Sequence, residues 1–175
     1  MYQKKEYIKH NRYGVCQIDD IMIRKLANGE KKQYYVMHKI DGIDTKISTP
    51  IDSKELNLVA SLSTVNKLIE EMPHLPNLWI SDNKKRTDHF QKIVKEGDIF
   101  SLAAMIRTIY QKKEEKRKEN KTLSVNDTKF MNWAEKKLHD ELAFCLNIKA
   151  EEVVSYLLEH VSENETMEQK KETAS

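Results

Sequence analysis

The sequence predicts an α+β fold, a small antiparallel β module followed by a compact all-helical module. Two observations carry this expectation. All four glycines and all three prolines of the 175-residue chain lie between Gly14 and Gly97, and the 78 residues after Gly97 contain neither. Glycine supplies the positive φ that tight turns need and proline punctuates loops. A long stretch without either, rich in Ala, Leu, Glu and Lys, has the composition of continuous helix. Residues 7–51 also alternate short apolar runs with turn signals, whereas the later apolar residues recur at helical spacing.

The β elements follow in order. Tyr7-Ile8 opens a first strand, Val15-Cys16-Gln17-Ile18 a second, and Ile21 to Leu26 a third. Asn28-Gly29 is a strong hairpin signal, read as a type I′ turn with positive φ at both central residues. Lys32 to Ile40, rich in aromatics and Val, reads as a strand, Asp41-Gly42 as a turn, and Thr45 to Pro50 as the return strand. Four or five short strands here imply a strongly bent antiparallel sheet or barrel.

The helices have recognisable ends. Ser63 is the expected N-cap of Thr64–Glu71, which Pro73 stops. Asp82 caps Asn83–Lys95, with Phe90, Ile93 and Val94 on one face and Gly97 as the stop. Asp98 caps a long helix from Ile99, whose charged end runs through Lys112 to Glu119. Ser124 to Asp127 resembles a capping box and opens a helix with Phe130, Met131, Ala134, Leu138, Leu142 and Leu146 on its apolar face. Trp133 is assigned to that core. Ala150–Glu159 forms a last helix, and the polar tail from Ser162 is expected to be disordered. The expected domains are therefore 1–58 (β), 59–160 (helical) and 161–175 (tail). The connector's Leu58, Val59, Leu62, Leu68 and Ile69 are expected to pack on the helical module.

Composition excludes several classes. Thirty basic and 28 acidic residues give a net charge of only +2, so any contact with a polyanion must be local. No apolar run approaches the ~18 residues of a membrane span, and Met1 to Glu6 lack the apolar core of a secretory signal, so the expectation is cytoplasmic. Cys16 and Cys145 read as small buried hydrophobes in different modules, with no partner at metal-ligand spacing. There is no glycine-rich phosphate loop, zinc helix or nucleophile elbow. His139-Asp140-Glu141 diverge around a helix, and the other histidines are scattered singly. We expect no enzyme, cofactor or metal.

One segment stands out. Met72-Pro73-His74-Leu75-Pro76-Asn77-Leu78-Trp79 is followed closely by Lys84-Lys85-Arg86. An aromatic beside phosphate-binding cations is how proteins insert a wedge into a groove while holding the backbone. Trp79 is either such a wedge, exposed in the free protein, or a plug in an interface.

The segments Tyr13 to Ile18, Gly29 to Val36 and Ile47 to Pro50 resemble the N-terminal module of the CarD/CdnL transcription regulators. Lys95-Glu96-Gly97-Asp98, Ala104 to Tyr110, Leu123-Ser124 and Glu141-Leu142-Ala143 match that family's helical module in order. The resemblance implies a bacterial, monomeric regulator that is nucleoid-associated through RNA polymerase. Its Tudor-like module would dock on the polymerase β subunit through Arg24, Lys25, Lys46 and Ser48. Its helical module would contact promoter DNA, minor groove and backbone, through Trp79, Lys84, Lys85, Arg86 and Lys129, stabilising the open complex at the upstream edge of the bubble. Sigma factor is a further candidate partner. Two readings compete with this one, a polymerase-binding adaptor with negligible DNA contact and a small RNA-processing accessory domain. The sequence departs from the family pattern at Asn11-Arg12-Tyr13, where Pro-x-His is common, and at Ser48, where a basic residue often stands.

Overall fold

The computed structural model describes residues 1–40 and 46–161; the Asp41-Gly42 turn and the tail from Ser162 lie outside them. The chain divides into two compact units, Met1–Val59 and Ala60–Ser175.

The first unit is an antiparallel sheet of β1 (Tyr7–His10), β2 (Gly14–Lys25), β3 (Lys31–Lys39), β4 (Lys46–Pro50) and β5 (Leu56–Asn57), in the spatial order β4-β3-β2-β1-β5. Where the sequence suggested two strands there is one, β2. Its pairing passes from Ile18↔Met37 to Asp20↔Val36, leaving Asp19 as the extra residue of a bulge. A bulge bends a strand without breaking it, and here it curls the sheet. The Asn28-Gly29 hairpin forms, but not as a type I′ turn. Gly29 alone takes positive φ (85°), the Gly29 N–H donates to Leu26 O (2.9 Å), and the Leu26 N–H donates to Glu30 O (2.8 Å). That is a three-residue hairpin loop, which needs a left-handed residue only at its last position. Ile8, Cys16, Ile18, Tyr35, Met37 and Ile47 form the core, and the Tyr2 N–H donates to Tyr35 Oη at its edge (2.9 Å).

The second unit contains α1 (Leu62–Glu71), α2 (Asn83–Glu96), α3 (Ile99–Lys118), α4 (Val125–Leu146) and a last helix, α5, over residues 153–161. The caps explain the boundaries. Asp82 accepts from the Lys85 N–H (2.8 Å), Asp98 from Ser101 (2.8 Å), and Ser124 from Asp127 (3.1 Å). Gly97 ends α2 in the left-handed region at φ 68°. The cap of α1 is Ser61 rather than Ser63. Its Oγ reaches both the Thr64 N–H (3.1 Å) and the Thr64 hydroxyl (2.8 Å), so the helix starts earlier.

Val65, Leu68 and Ile69 of α1 join Phe90, Leu102, Met105, Ile109, Phe130, Ala134, Leu138, Leu142 and Val153 in one apolar core. Leu58 and Leu62 of the expected connector are instead exposed. The start of the unit is pinned to α4 on both sides of one peptide residue. The Ala60 N–H donates to Glu141 Oε1, and the Cys145 thiol donates to Ala60 O, each at 3.0 Å. Trp133 corrects an expectation. It is 53% exposed, outside the core, with its ring in a T-shaped contact on Phe130 (5.5 Å between centroids).

His139, half-buried on α4, is held below its ordinary pKa by burial, against the opposing pull of Glu135 and Asp140. The unfolded chain therefore takes up this proton more readily than the folded one. Stability from this group is present above its ordinary pKa of about 6.5 and is lost as pH falls through that value. Between about pH 7.5 and 5.5 the unfolding midpoint of the wild type should drop more than that of His139→Gln. Thermal melts of both proteins at the two pH values test this.

Candidate functional site

The helical unit is organised around a buried ion pair. Arg86, on the first turn of α2, is 5% exposed, and Asp127, on the first turn of α4, is 4% exposed. The contact is bidentate, Nε to Oδ1 at 2.9 Å and Nη2 to Oδ2 at 3.1 Å. The remaining donors hold the preceding loop and the helix start: Nη1 donates to Ile80 O (2.6 Å) and Nη2 to Oδ1 of Asn83, the first residue of α2 (2.7 Å). Asp127 also accepts from the Ser124 hydroxyl at 2.6 Å. A charge this deep is tolerated only when its partner and its hydrogen bonds are all in place.

Trp79 lies directly under this group. The guanidinium carbon is 4.1 Å from its ring centroid, and Lys112 Nζ is 5.5 Å from it. Trp79 is half-buried and packs against the core; it is neither the freely exposed wedge nor a fully buried plug. Its backbone is fixed as well. The Trp79 N–H donates to Asn77 Oδ1 (2.9 Å), the Leu78 N–H donates to Thr108 Oγ1 (2.9 Å), and Arg107 Nη1 donates to Leu75 O. The proline-marked connection is thus strapped to α3.

Arg86 does not join its neighbours as a solvated cation, because Asp127 neutralises it inside the fold. Lys84 and Lys85 do remain exposed, and so does Lys129 of α4. None of the three pairs with a carboxylate among the described residues. The contacts Arg86–Asp127 and Phe90–Phe130 (6.0 Å between centroids) follow in the same direction along both helices. The two helices therefore start side by side, and Lys84, Lys85 and Lys129 lie around two adjacent, partially positive helix N-termini. This arrangement favours anions. It depends on a pairing 41 residues apart in sequence, which no local pattern could have shown.

In the β unit, register decides which candidate residues meet. The pairs Arg24↔Lys32, Met22↔Tyr34, Asp20↔Val36, Val36↔Ser48 and His38↔Lys46 put Arg24, Ser48 and Lys46 on one face. Lys25, paired with Lys31, lies on the other face. Arg24 stands over the Tyr34 ring (5.1 Å). Beside it, a depression of about 360 Å³ is lined by Asp19, Asp20, Met22, Val36, His38 and Lys46. The face is mixed in sign rather than basic. Asp19 Oδ1 is 2.8 Å from His38 Nδ1, and Asp20 pairs with Lys4 (2.6 Å), whose hydrogen bond holds that carboxyl below its usual pKa.

A curled sheet with a charged outer face, followed by a helical unit with exposed, unpaired cations, describes a two-unit interaction protein. Residues 2–63 match the CarD-like/TRCF RID domain and residues 79–158 match the CarD C-terminal domain. The chain belongs to the CarD/CdnL family, whose members are transcription-related proteins that interact with RNA polymerase. The RID domain implies the β subunit as the partner. No curated protein matches the chain. No helix among the described residues is long and apolar enough to cross a membrane.

Removing one partner of the buried pair should leave an uncompensated charge. Asp127→Ala is expected to destabilise the helical unit by about 3–5 kcal/mol. Lys84→Ala, at an exposed unpaired position, should change stability by no more than about 0.5 kcal/mol. Chemical denaturation of the two variants against wild type makes the comparison.

Proposed function

We propose that the protein docks on the RNA polymerase β subunit through the outer face of its β unit and contacts promoter DNA through its helical unit, stabilising the open complex at the upstream edge of the bubble. The observation that supports this most is the set of three exposed, unpaired lysines, Lys84 and Lys85 in the first turn of α2 and Lys129 near the start of the neighbouring α4. Cations and helix N-termini together suit a phosphate backbone. A chain of net charge +2 gains little from its field as a whole, so affinity for DNA alone is modest and tethering by polymerase supplies the local concentration. A regulator of this kind acts by differential binding. It shifts promoter opening only as far as it grips the opened, distorted duplex more tightly than the closed one.

In this reading Arg24, Ser48 and Lys46 form the polymerase-facing set, and Lys25 lies apart from it. Trp79 serves chiefly to hold the loop before α2, presenting to DNA only the part of its ring that Arg86 leaves free. A second reading, a polymerase-binding adaptor with negligible DNA contact, draws support from the burial of Arg86 and the half-burial of Trp79.

Salt dependence separates the two readings. For binding to a forked promoter duplex, each of Lys84→Ala, Lys85→Ala and Lys129→Ala should flatten the log–log salt slope by about 0.9. Slopes identical to wild type in all three would favour the adaptor.

The docking face has its own test. Arg24→Glu should weaken binding to the isolated β-subunit fragment with an unchanged melting temperature. Equal affinity would remove Arg24 from the interface, as happens when a rim charge is well solvated.

A further inference from the structure

Trp133 is the more exposed of the two tryptophans, and its surroundings indicate what it meets. It lies on the outer side of α4, one turn after the unpaired Lys129 and one turn before Lys136, which bridges to Asp140 at 3.0 Å. From Val125 to Lys136 the exposed residues of α4 include two lysines and no carboxylate; Asp127, the acidic residue of the first turn, is buried against Arg86. The indole packs on Phe130 in a T-shaped contact with ring planes at 85°, so Phe130 covers at most one of its faces. Phe130 in turn packs on Phe90, and this aromatic row ties the indole to the core. An anchored, half-exposed indole one turn from the unpaired Lys129 is complementary to a polyanion carrying flat apolar rings.

We infer that Trp133 is a stacking platform for an unpaired nucleobase of the opened promoter strand, with Lys129 and the lysines at the start of α2 holding the adjoining phosphates. This rests on the reading of the helical unit as the DNA-contacting part. The two tryptophans divide the work. Trp79 has a guanidinium over its ring and is built into the fold, whereas Trp133 is 53% exposed. Paired bases in duplex DNA are already stacked, so a platform of this kind discriminates in favour of melted DNA. An acidic protein surface could meet the same lysines, but it would gain nothing specific from an exposed indole.

The experiment uses the full chain at low salt, about 50 mM, where phosphate contacts are strongest. Trp79→Phe leaves Trp133 as the only tryptophan, and Trp133→Phe leaves Trp79. Each is titrated with a fork-junction DNA carrying an unpaired strand and with the fully paired duplex of the same sequence. The expected result is quenching of Trp133 emission by the fork DNA, little change with the paired duplex, and a smaller response from Trp79. Trp133→Ala should lose about 5- to 150-fold in fork affinity while affinity for the paired duplex holds. Unchanged fork affinity in Trp133→Ala, with affinity lost in Lys84→Ala and Lys129→Ala, would overturn the platform and leave the DNA reading standing. If the unaltered chain binds neither DNA, both fall. Loss of polymerase binding by Trp133→Ala in the absence of DNA would make this face a protein interface, which also overturns the inference.

Discussion

The Arg86–Asp127 pair is the interaction on which the helical unit depends. It joins the first turn of α2 to the first turn of α4, and the same guanidinium reaches the Ile80 carbonyl, the Asn83 side chain and the Trp79 ring. The loop from Trp79 and the first turns of α2 and α4 are thereby fixed to one planar group. Lysine could not replace it, because a point charge on a flexible stem lacks the fork that satisfies a carboxylate, a loop carbonyl and an amide oxygen together. The pair is not a strong source of net stability, since desolvation offsets much of the attraction. Its contribution is geometric: it sets where α2 begins relative to α4, and hence where their exposed lysines stand.

That geometry reconciles a nearly neutral protein with a local preference for anions. The Lys112 to Lys118 end of α3 has more cations than the start of α2, yet its lysines and arginine stand among Glu114, Glu115 and Glu119, with Lys112 bonded to Glu115 and Arg117 near Glu114. Charge density alone would have pointed there. Lys84, Lys85 and Lys129 bond to no carboxylate among the described residues, and the acidic residue in the first turn of α4, Asp127, is taken up by Arg86. Neutralising one cation inside the fold leaves its neighbours free to face solvent.

Much of the fold was legible because it depends on local chemistry. The glycine and proline distribution separated sheet from helices, and Asp82, Gly97, Asp98 and Ser124 marked helix ends that the caps bear out. The errors arose where long-range contacts decide. A bulge at Asp19 is invisible to alternation counting, which reads the shift of phase as a break. The hairpin loop is one residue longer than Asn-Gly suggests, because Glu30 O, rather than a nearer carbonyl, accepts from Leu26. The cap expected at Ser63 falls to Ser61, whose Oγ accepts from the Thr64 N–H.

The candidate site was only half legible, for a reason that lies in helix geometry. Successive residues turn by about 100° around a helix, so Trp133 stands about that far from the buried Ala134 beside it. Phe130, Ala134 and Leu138 define the buried stripe, and a residue that far from it is at the margin, where a large side chain can fold inward or stand out. Hydrophobicity argues for inward. What prevents it is Phe130, whose ring already fills the space against Phe90 and leaves the indole an edge-on contact at the surface. Trp79 went the other way for a complementary reason. Its loop has no helix of its own to bury it, but Arg86 needed an acceptor-lined, partly apolar cover, and the indole ring supplies it at 4.1 Å. The sequence displays both tryptophans beside cations, and it is long-range packing, Arg86 over one ring and Phe130 against the other, that determines which is enclosed and which stands out.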